Sequence, residues 1–172
     1  MHSIPDVSSL TDKLVSDIMA SFSVDMIQSL AFIGIHSNGV PLAKRLSKYI
    51  SDRMHIVCPA GAINITLFRD DLNKLKHTVT LNHTDIPFDI KNRHIIIVDD
   101  VIHTGRTIRA ALCCLNEFGR AKSIQCAALL DRGNREMPID CRYVGHNVPD
   151  DIQGQIKLQL LEVHGEDQIK II

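Results

Sequence analysis

Apolar positions along the chain follow two different periods. Leu10, Leu14, Ile18 and Phe22 recur at helical spacing with Asp12, Lys13 and Asp17 off the stripe, which predicts an amphipathic helix from about Ser8 to Ala20. Leu30 to Ile35 is a short continuous apolar run, the pattern of a strand covered on both faces. Pro41 suits a first helical turn, and Leu42, Leu46 and Ile50 then share one face. Met54 to Cys58 reads as a short strand. Ala62 to Phe68, where Ile63, Ile65 and Leu67 alternate with Asn64 and Thr66, reads as a half-exposed one. His94 to Val98 is the strongest buried-strand candidate. Beyond a loop, Ile108, Ala111, Leu112, Leu115 and Phe118 form a helical stripe that Gly119 is placed to stop. Ser123 to Leu130, Arg142 to Gly145 and Ile156 to Val163 read as further strands. Strands alternating with helices imply right-handed βαβ units, hence an α/β fold with a mostly parallel central sheet flanked by helices. The polar stretch from Arg69 to Asn92, with one weak strand near Thr78 to Leu81, is too long for a plain connection and reads as a β-hairpin lid.

Composition narrows the class. With 172 residues, 45% apolar and 23% charged, the chain suits one domain spanning residues 1–172. A net charge of -1 gives no global attraction to nucleic acid or membranes. No apolar run approaches the ~20 residues that span a bilayer, and the polar segment from Met1 to Asp12 does not read as a signal peptide. The cysteines (Cys58, Cys113, Cys114, Cys126 and Cys141) are odd in number and include no C-x-x-C, so neither a disulfide framework nor a zinc site is indicated. A reducing cytoplasm is the expected compartment. The histidines lack H-x-x-x-H spacing, and no histidine metal site is expected.

The chemistry concentrates in IIIVDDVIHTGRT, Ile95 to Thr107. An apolar strand ends in two adjacent carboxylates, Asp99 and Asp100; a loop with Thr104, Gly105, Arg106 and Thr107 leads into a helix. Ligands of parallel α/β sheets sit at the carboxyl ends of strands. A helix N-terminus offers unpaired N–H groups to a phosphate, Gly105 permits close backbone approach, and threonine hydroxyls can donate. The carboxylates stand where they could accept hydrogen bonds from vicinal sugar hydroxyls, and a ribose 5-phosphate needs both anchors. Other nucleotide motifs fail: Gly34 to Gly39 has P-loop spacing, but Val40 and Pro41 stand where Lys and Ser/Thr are required, and no G-x-G-x-x-G follows a strand.

The segment Ile95 to Thr107 resembles the 5-phosphoribosyl-1-pyrophosphate (PRPP) signature of type I phosphoribosyltransferases. GIHSNGVPLAKRL (Gly34 to Leu46), AINITLFRDDL (Ala62 to Leu72), DIPFDI (Asp85 to Ile90) and LDRGNREMPIDCRYVGHNVP (Leu130 to Pro149) are similar to the pyrimidine operon attenuator family, PyrR. The resemblance implies the type I phosphoribosyltransferase fold, with a lid at about 69–92 and a small hood. It also implies two activities: transfer of phosphoribose from PRPP to uracil, giving UMP and pyrophosphate, and UMP-dependent binding of the pyrimidine-operon mRNA leader. By the same resemblance, Asp99 and Asp100 hold the ribose hydroxyls, directly or through magnesium waters, Thr104, Gly105, Arg106 and Thr107 take the 5′-phosphate, and Val101, Ile102 and His103 belong to the same PRPP/UMP site. Ser37, Asn38 and Gly39 form the pyrophosphate loop, Arg69 and Asp70 open the lid, and Arg132 lies near the nucleobase. Asp99, Asp100 and Arg69 are the catalytic candidates. Mg²⁺ is expected to arrive with PRPP, with no direct protein ligand, and a homodimer or higher homo-oligomer is implied.

Several positions depart from the family pattern. Ser37-Asn38-Gly39 stands where Thr-Arg-Gly is usual, His103 where an aromatic is common, Asn64 where Asp is usual and His146 where Lys is common. Losing a charge-assisted hydrogen bond costs about 1.5–3 kcal/mol, so weakened PRPP turnover is expected. From Asp12 to Gln28 there is one base, Lys13, against Asp12, Asp17 and Asp25, which predicts weak RNA binding. Two other readings follow: a non-catalytic nucleotide-sensing or RNA-binding regulator that keeps the pocket, and a purine or orotate phosphoribosyltransferase, against which DRGNREMP argues.

Overall fold

A computed structural model describes residues 4–70, 83–149, 152 and 154–172. Helix α1 (Val7–Ser21) opens at Asp6, whose carboxylate accepts the Ser9 N–H at 2.9 Å. A short helix α2 (Val24–Ile27) leads into strand β1 (Leu30–Ile35). Then come helix α3 (Gly39–Met54), strand β2 (Ala60–Ile63), a 3₁₀ turn (Thr66–Phe68), strand β3 (His94–Ile102) and helix α4 (Arg106–Asn116). Strands β4 (Ser123–Asp131) and β5 (Tyr143–Asn147) complete a parallel five-stranded sheet of order β2-β1-β3-β4-β5. Strand β6 (Ile156–Gln159), a single helical turn α5 (Leu161–His164) and strand β7 (Gln168–Ile171) make a separate antiparallel pair.

The period-two geometry of a strand explains why the central strands read as unbroken apolar runs. In β1, Leu30 and Phe32 join the core under α1 and α3, while Ala31, Ile33 and Ile35 join the core under α4. In β3, Ile96 and Val98 face the first core, and Ile95 and Ile97 the second. Leu14, Ile18, Leu42, Leu46 and Ile50 close the first layer; Ile108, Ala111 and Leu115 close the other. Each such side chain contributes about 1.5–3 kcal/mol through burial.

Four sequence expectations need correction. Helix α3 begins two residues before Pro41 and consumes Met54, so Met54 to Cys58 is not a strand; His55 ends the helix in the left-handed region at φ 53°. The alternation from Ala62 to Phe68 stops being extended after Ile63, because the Asn64 side-chain oxygen accepts both the N–H and the hydroxyl of Thr66 and folds the chain into the 3₁₀ turn. Strand β3 runs four residues beyond Val98, since its pairing with β4 continues to Ile102 beside Asp131. Ile156 to Val163 divides at Leu160, whose N–H donates to Nδ1 of His164 and starts the turn α5. The expected hairpin near Thr78 to Leu81 lies outside the described residues.

Candidate active site

The chain passes from β1 through α3 to β2 on one side, then returns to β3 on the other side of β1. The strand order thus reverses between β1 and β3, and the loops after these two strands diverge to leave a crevice, as such switch points do. That crevice, about 420 Å³, is lined by Ile35, His36, Ser37, Asn38, Asn64, Ile65, Thr66, Arg69, Asp99, Asp100, Val101 and Thr107. Two glycines let the walls meet. A Cβ on Gly39 would lie 2.3 Å from the Val98 carbonyl oxygen, so the first turn of α3 packs directly on the backbone of β3. Gly105 adopts φ 87°, which frees the chain to turn from β3 into α4, and its α-carbon faces Met137.

Asp99 and Asp100 alternate across the last part of β3. Asp99 is buried at 6% exposure and its Oδ1 accepts the Asp100 N–H at 3.0 Å; Asp100 Oδ1 accepts the Val101 N–H at 2.8 Å. Burial, reinforced by the Asp100 charge, pushes the Asp99 carboxyl well above the ordinary carboxylate range. Asn38 spans the crevice: its amide nitrogen donates to Asp100 Oδ2 at 2.8 Å and to the Leu158 carbonyl of β6 at 3.1 Å. Its own amide oxygen is buried without a partner among the described residues. The pyrophosphate-loop candidate is therefore tied both to the carboxylate pair and to the β6–β7 unit.

The α4 N-terminus carries no side-chain cap; Gly105 precedes it, and the Arg106 N–H reaches only the Thr104 hydroxyl, at 3.4 Å. The α4 N-terminus follows the carboxylate strand after residues 103–105, and Thr107 of its first turn lines the crevice with Asp99 and Asp100, an arrangement suited to an anion.

The structure separates the predicted residues into two groups. Ser37, Asn38, Arg69, Asp99, Asp100, Val101 and Thr107 line one crevice, and Gly39 shapes it through backbone contact. Ile102 is a core residue instead, and His103 is exposed. The Arg106 side chain turns outward, donating from Nε to Glu136 at 2.6 Å and from Nη1 to Asp70 at 2.5 Å. Arg132 stands at the end of β4, outside the crevice wall, with its N–H donating to the Ile102 carbonyl at 2.9 Å.

Sequence reading missed Arg135. Its guanidinium donates to both oxygens of Asp131, to the His103 carbonyl at 2.6 Å and to the Ile139 carbonyl at 3.0 Å, and so clamps the β4–β5 connection onto the loop after β3. Burial alone would raise Asp131, but hydrogen bonds from Arg135 and Gly133 outweigh it and hold the carboxyl below its ordinary value. The Glu136 and Met137 N–H groups both donate to the Thr104 carbonyl, completing the clamp. The signal was the Asp131–Arg135 charge pair four residues apart, in a stretch read only as a family marker. Asn64 and Thr66 were also missed as lining residues because Ala62 to Phe68 was expected to continue as a strand, and His36 because it precedes the Ser37-Asn38-Gly39 loop.

Residues 4–161 match the phosphoribosyl transferase domain family. The "Bifunctional protein PyrR" of Deinococcus deserti is 41% identical over 175 residues, covering 98% of this chain and 96% of that protein. The "Bifunctional protein PyrR" of Pelotomaculum thermopropionicum is 44% identical over 144 residues, covering 84% of this chain and 80% of that protein. Among solved structures, a hypoxanthine-guanine phosphoribosyltransferase of Bacillus anthracis superposes with a TM-score of 0.72 at 17% identity, over 100% of this chain and 98% of its own. The Trypanosoma cruzi hypoxanthine phosphoribosyltransferase, in complex with the product IMP, gives 0.65 at 16% identity, over 88% and 80%. A parallel sheet flanked by helices, with its carboxylate pair at the switch point, thus carries the type I phosphoribosyltransferase fold, and the chain belongs to the phosphoribosyltransferase family and, within it, to PyrR.

Proposed function

We propose that this PyrR-family chain transfers the phosphoribosyl group of PRPP to uracil, releasing pyrophosphate and forming UMP. The observation that carries the reading is the crevice at the β1–β3 switch point, where Asp99 and Asp100 face the Ser37-Asn38 loop and the α4 N-terminus. The α4 N–H groups and Thr107 bind the 5′-phosphate. Asp99 and Asp100 receive the ribose hydroxyls, and the Ser37-Asn38-Gly39 loop receives the diphosphate. Arg69, in the crevice wall at the start of the lid segment, faces the leaving group. Arg132 contributes near the base by resemblance to the family.

Little proton transfer is needed. The anomeric carbon gains positive character as pyrophosphate departs, and positioning with fixed charges supplies most of the rate. Among the described residues no cluster of three or more His, Cys, Asp or Glu is placed to hold a metal ion. Asp99 and Asp100 would hold, through its waters, a Mg²⁺ that arrives with PRPP, and the ion would supply charge for the leaving diphosphate. A site in the cytoplasm and a homo-oligomer are part of the same reading, and no helix among the described residues is long and apolar enough to cross a membrane.

A second reading, a nucleotide-sensing regulator with slow or no turnover, is favoured by one observation: a neutral Asn38, already bonded to Asp100 and Leu158, occupies the pyrophosphate loop. The deciding experiment incubates the chain with PRPP, Mg²⁺ and uracil, with hypoxanthine and orotate in parallel. UMP and pyrophosphate formed from uracil alone support the enzyme. PRPP and UMP binding without product supports the regulator, and preference for hypoxanthine or orotate sinks the uracil reading.

A further inference from the structure

The sequence offers no cysteine motif, yet the fold brings two thiols together. Cys126, in the middle of β4, is buried, and Cys141, at the end of the β4–β5 connection, is half-buried. Cys141 Sγ lies 3.1 Å from Cys126 Sγ, within thiol hydrogen-bond distance, and 3.3 Å from the Tyr143 carbonyl oxygen, to which it can donate. The Arg142 N–H donates to the Cys126 carbonyl at 3.1 Å, which pins the backbone of the pair. A surface crevice of about 190 Å³ is bordered by Cys126 and by Asp140 and Arg142, the two chain neighbours of Cys141, and is wide enough for a small oxidant. The other cysteines lie elsewhere: Cys58 beside the Leu30 carbonyl, and Cys113 and Cys114 on α4.

The geometry points to Cys126 and Cys141 as a reversible dithiol–disulfide pair that resets the connection clamping the phosphate loop. Contact with the Cys141 sulfur, together with burial, holds the Cys126 thiol well above its ordinary range, and Cys141 is the more exposed of the two, so Cys141 is the sulfur that reacts first. Its thiolate attacks one oxygen of hydrogen peroxide; an S–O bond forms, the O–O bond breaks, and hydroxide leaves. Cys126 sulfur then attacks the Cys141 sulfenic sulfur, the S–O bond breaks, and the departing oxygen takes up the Cys126 proton. Two thiols lose two electrons and peroxide becomes two waters. A thiol reductant reverses the bridge by exchange.

The consequence follows from connectivity. A disulfide brings its sulfurs to about 2.0 Å, so closure draws Cys141 and β4 together by about 1 Å. The same connection bears Arg135, which holds the His103 carbonyl, and the Glu136 and Met137 N–H groups, which hold the Thr104 carbonyl. A displacement near 1 Å there is large enough to change phosphate binding by about tenfold, within the roughly hundredfold that such misplacement can cost.

The test treats the full chain with hydrogen peroxide and maps the peptides by mass spectrometry. It then follows hydrogen exchange of residues 103–107 and 132–142, and PRPP affinity, before and after dithiothreitol. Expected is a Cys126–Cys141 peptide pair lacking two hydrogens, altered exchange in both segments, and PRPP affinity lower by about tenfold and restored on reduction. C141S, with C141A as a second variant, should show none of these changes while reduced protein binds PRPP as before. Sulfinic acid at Cys141, a link through Cys113 instead, or a bridge that leaves exchange unchanged would overturn the proposal. The affinity arm rests on the PRPP reading. If reduced protein binds no PRPP, that reading fails, while the bridge and its effect on exchange are still decided by mass.

Discussion

Asp99 carries a carboxyl at 6% exposure beside the half-buried Asp100, and burial followed by the Asp100 charge raises its pKa well above the usual 3.8. A carboxyl whose folded pKa exceeds its unfolded value favours the fold most below the unfolded pKa. That contribution is lost as pH rises through the folded value. D99N should therefore be more stable than the parent at neutral pH by about 1–3 kcal/mol, with the gap closing as pH falls toward about 4; urea melts across that pH range measure it. The same variant should lose PRPP binding, so the position trades stability for ligand. Melts that superimpose at every pH would contradict the burial argument. Asn38 makes the opposite case. N38R adds a cation beside the departing diphosphate and should raise kcat/KM with uracil by about tenfold, the scale of one charge-assisted hydrogen bond. A folded N38R with unchanged kcat/KM would show that Asn38 does not limit turnover.

The β6–α5–β7 unit buries Leu158 and Leu160 in the first core and is gripped at the surface by helix α3. Arg45 Nε and Nη2 grip Glu162 at 2.7 and 2.5 Å, and Nη1 and Nη2 grip Asp167 at 2.8 and 2.7 Å. Hydrogen bonds from Arg45 hold both carboxyls below their ordinary 4.5 and 3.8. Stability from depressed carboxyls is present above the unfolded pKa and is lost as pH falls through the folded one. Acid should therefore loosen residues 156–171 before the parallel sheet, read as early hydrogen exchange there below about pH 4. R45A should do the same at neutral pH and cost about 1–2 kcal/mol. Exchange that rises in step over both sheets would contradict a separately anchored unit. This unit was the least legible part of the sequence. Leu160 and Leu161 continue the apolar pattern, and two local side-chain hydrogen bonds break it, one from the Leu160 N–H to His164 Nδ1 and one from the Leu161 N–H to the Asp167 carboxylate. By contrast β1, β3 and β4 were legible because both faces are buried and the apolar run needs no partner to be recognised. The carboxylate–phosphate loop was legible because its residues are contiguous. Arg135 was not, because its partner in the loop after β3, the His103 carbonyl, reaches it only once β3 and β4 pair, and its local pairing with Asp131 alone does not announce a clamp.

The distribution of charge over the molecule bears on the second activity that PyrR resemblance implies. Lys13, the one base of the first helix, donates to Asp17 and to the Val144 carbonyl, and α1 offers no other cation. On α3, Arg45 is spent on Glu162 and Asp167, and Lys48 pairs with Asp52 at 2.7 Å. Each phosphate neutralised steepens the salt dependence of RNA binding by about 0.7–0.9 in log–log slope. The chain should therefore bind its own pyrimidine-operon leader weakly, with a shallow slope and little response to UMP, in a gel-shift titration. Tight, UMP-stimulated binding would place a basic face elsewhere, Lys44 and Arg142 being candidates once copies associate. Beneath both activities lies one claim, that the β1–β3 crevice is a PRPP site built on Asp99 and Asp100. The most direct test is calorimetry of PRPP with Mg²⁺ on the parent chain and on the D99N/D100N double variant, each verified as folded by its thermal melt. The account predicts saturable binding by the parent and none by the folded double variant; equal affinity in the two would contradict it.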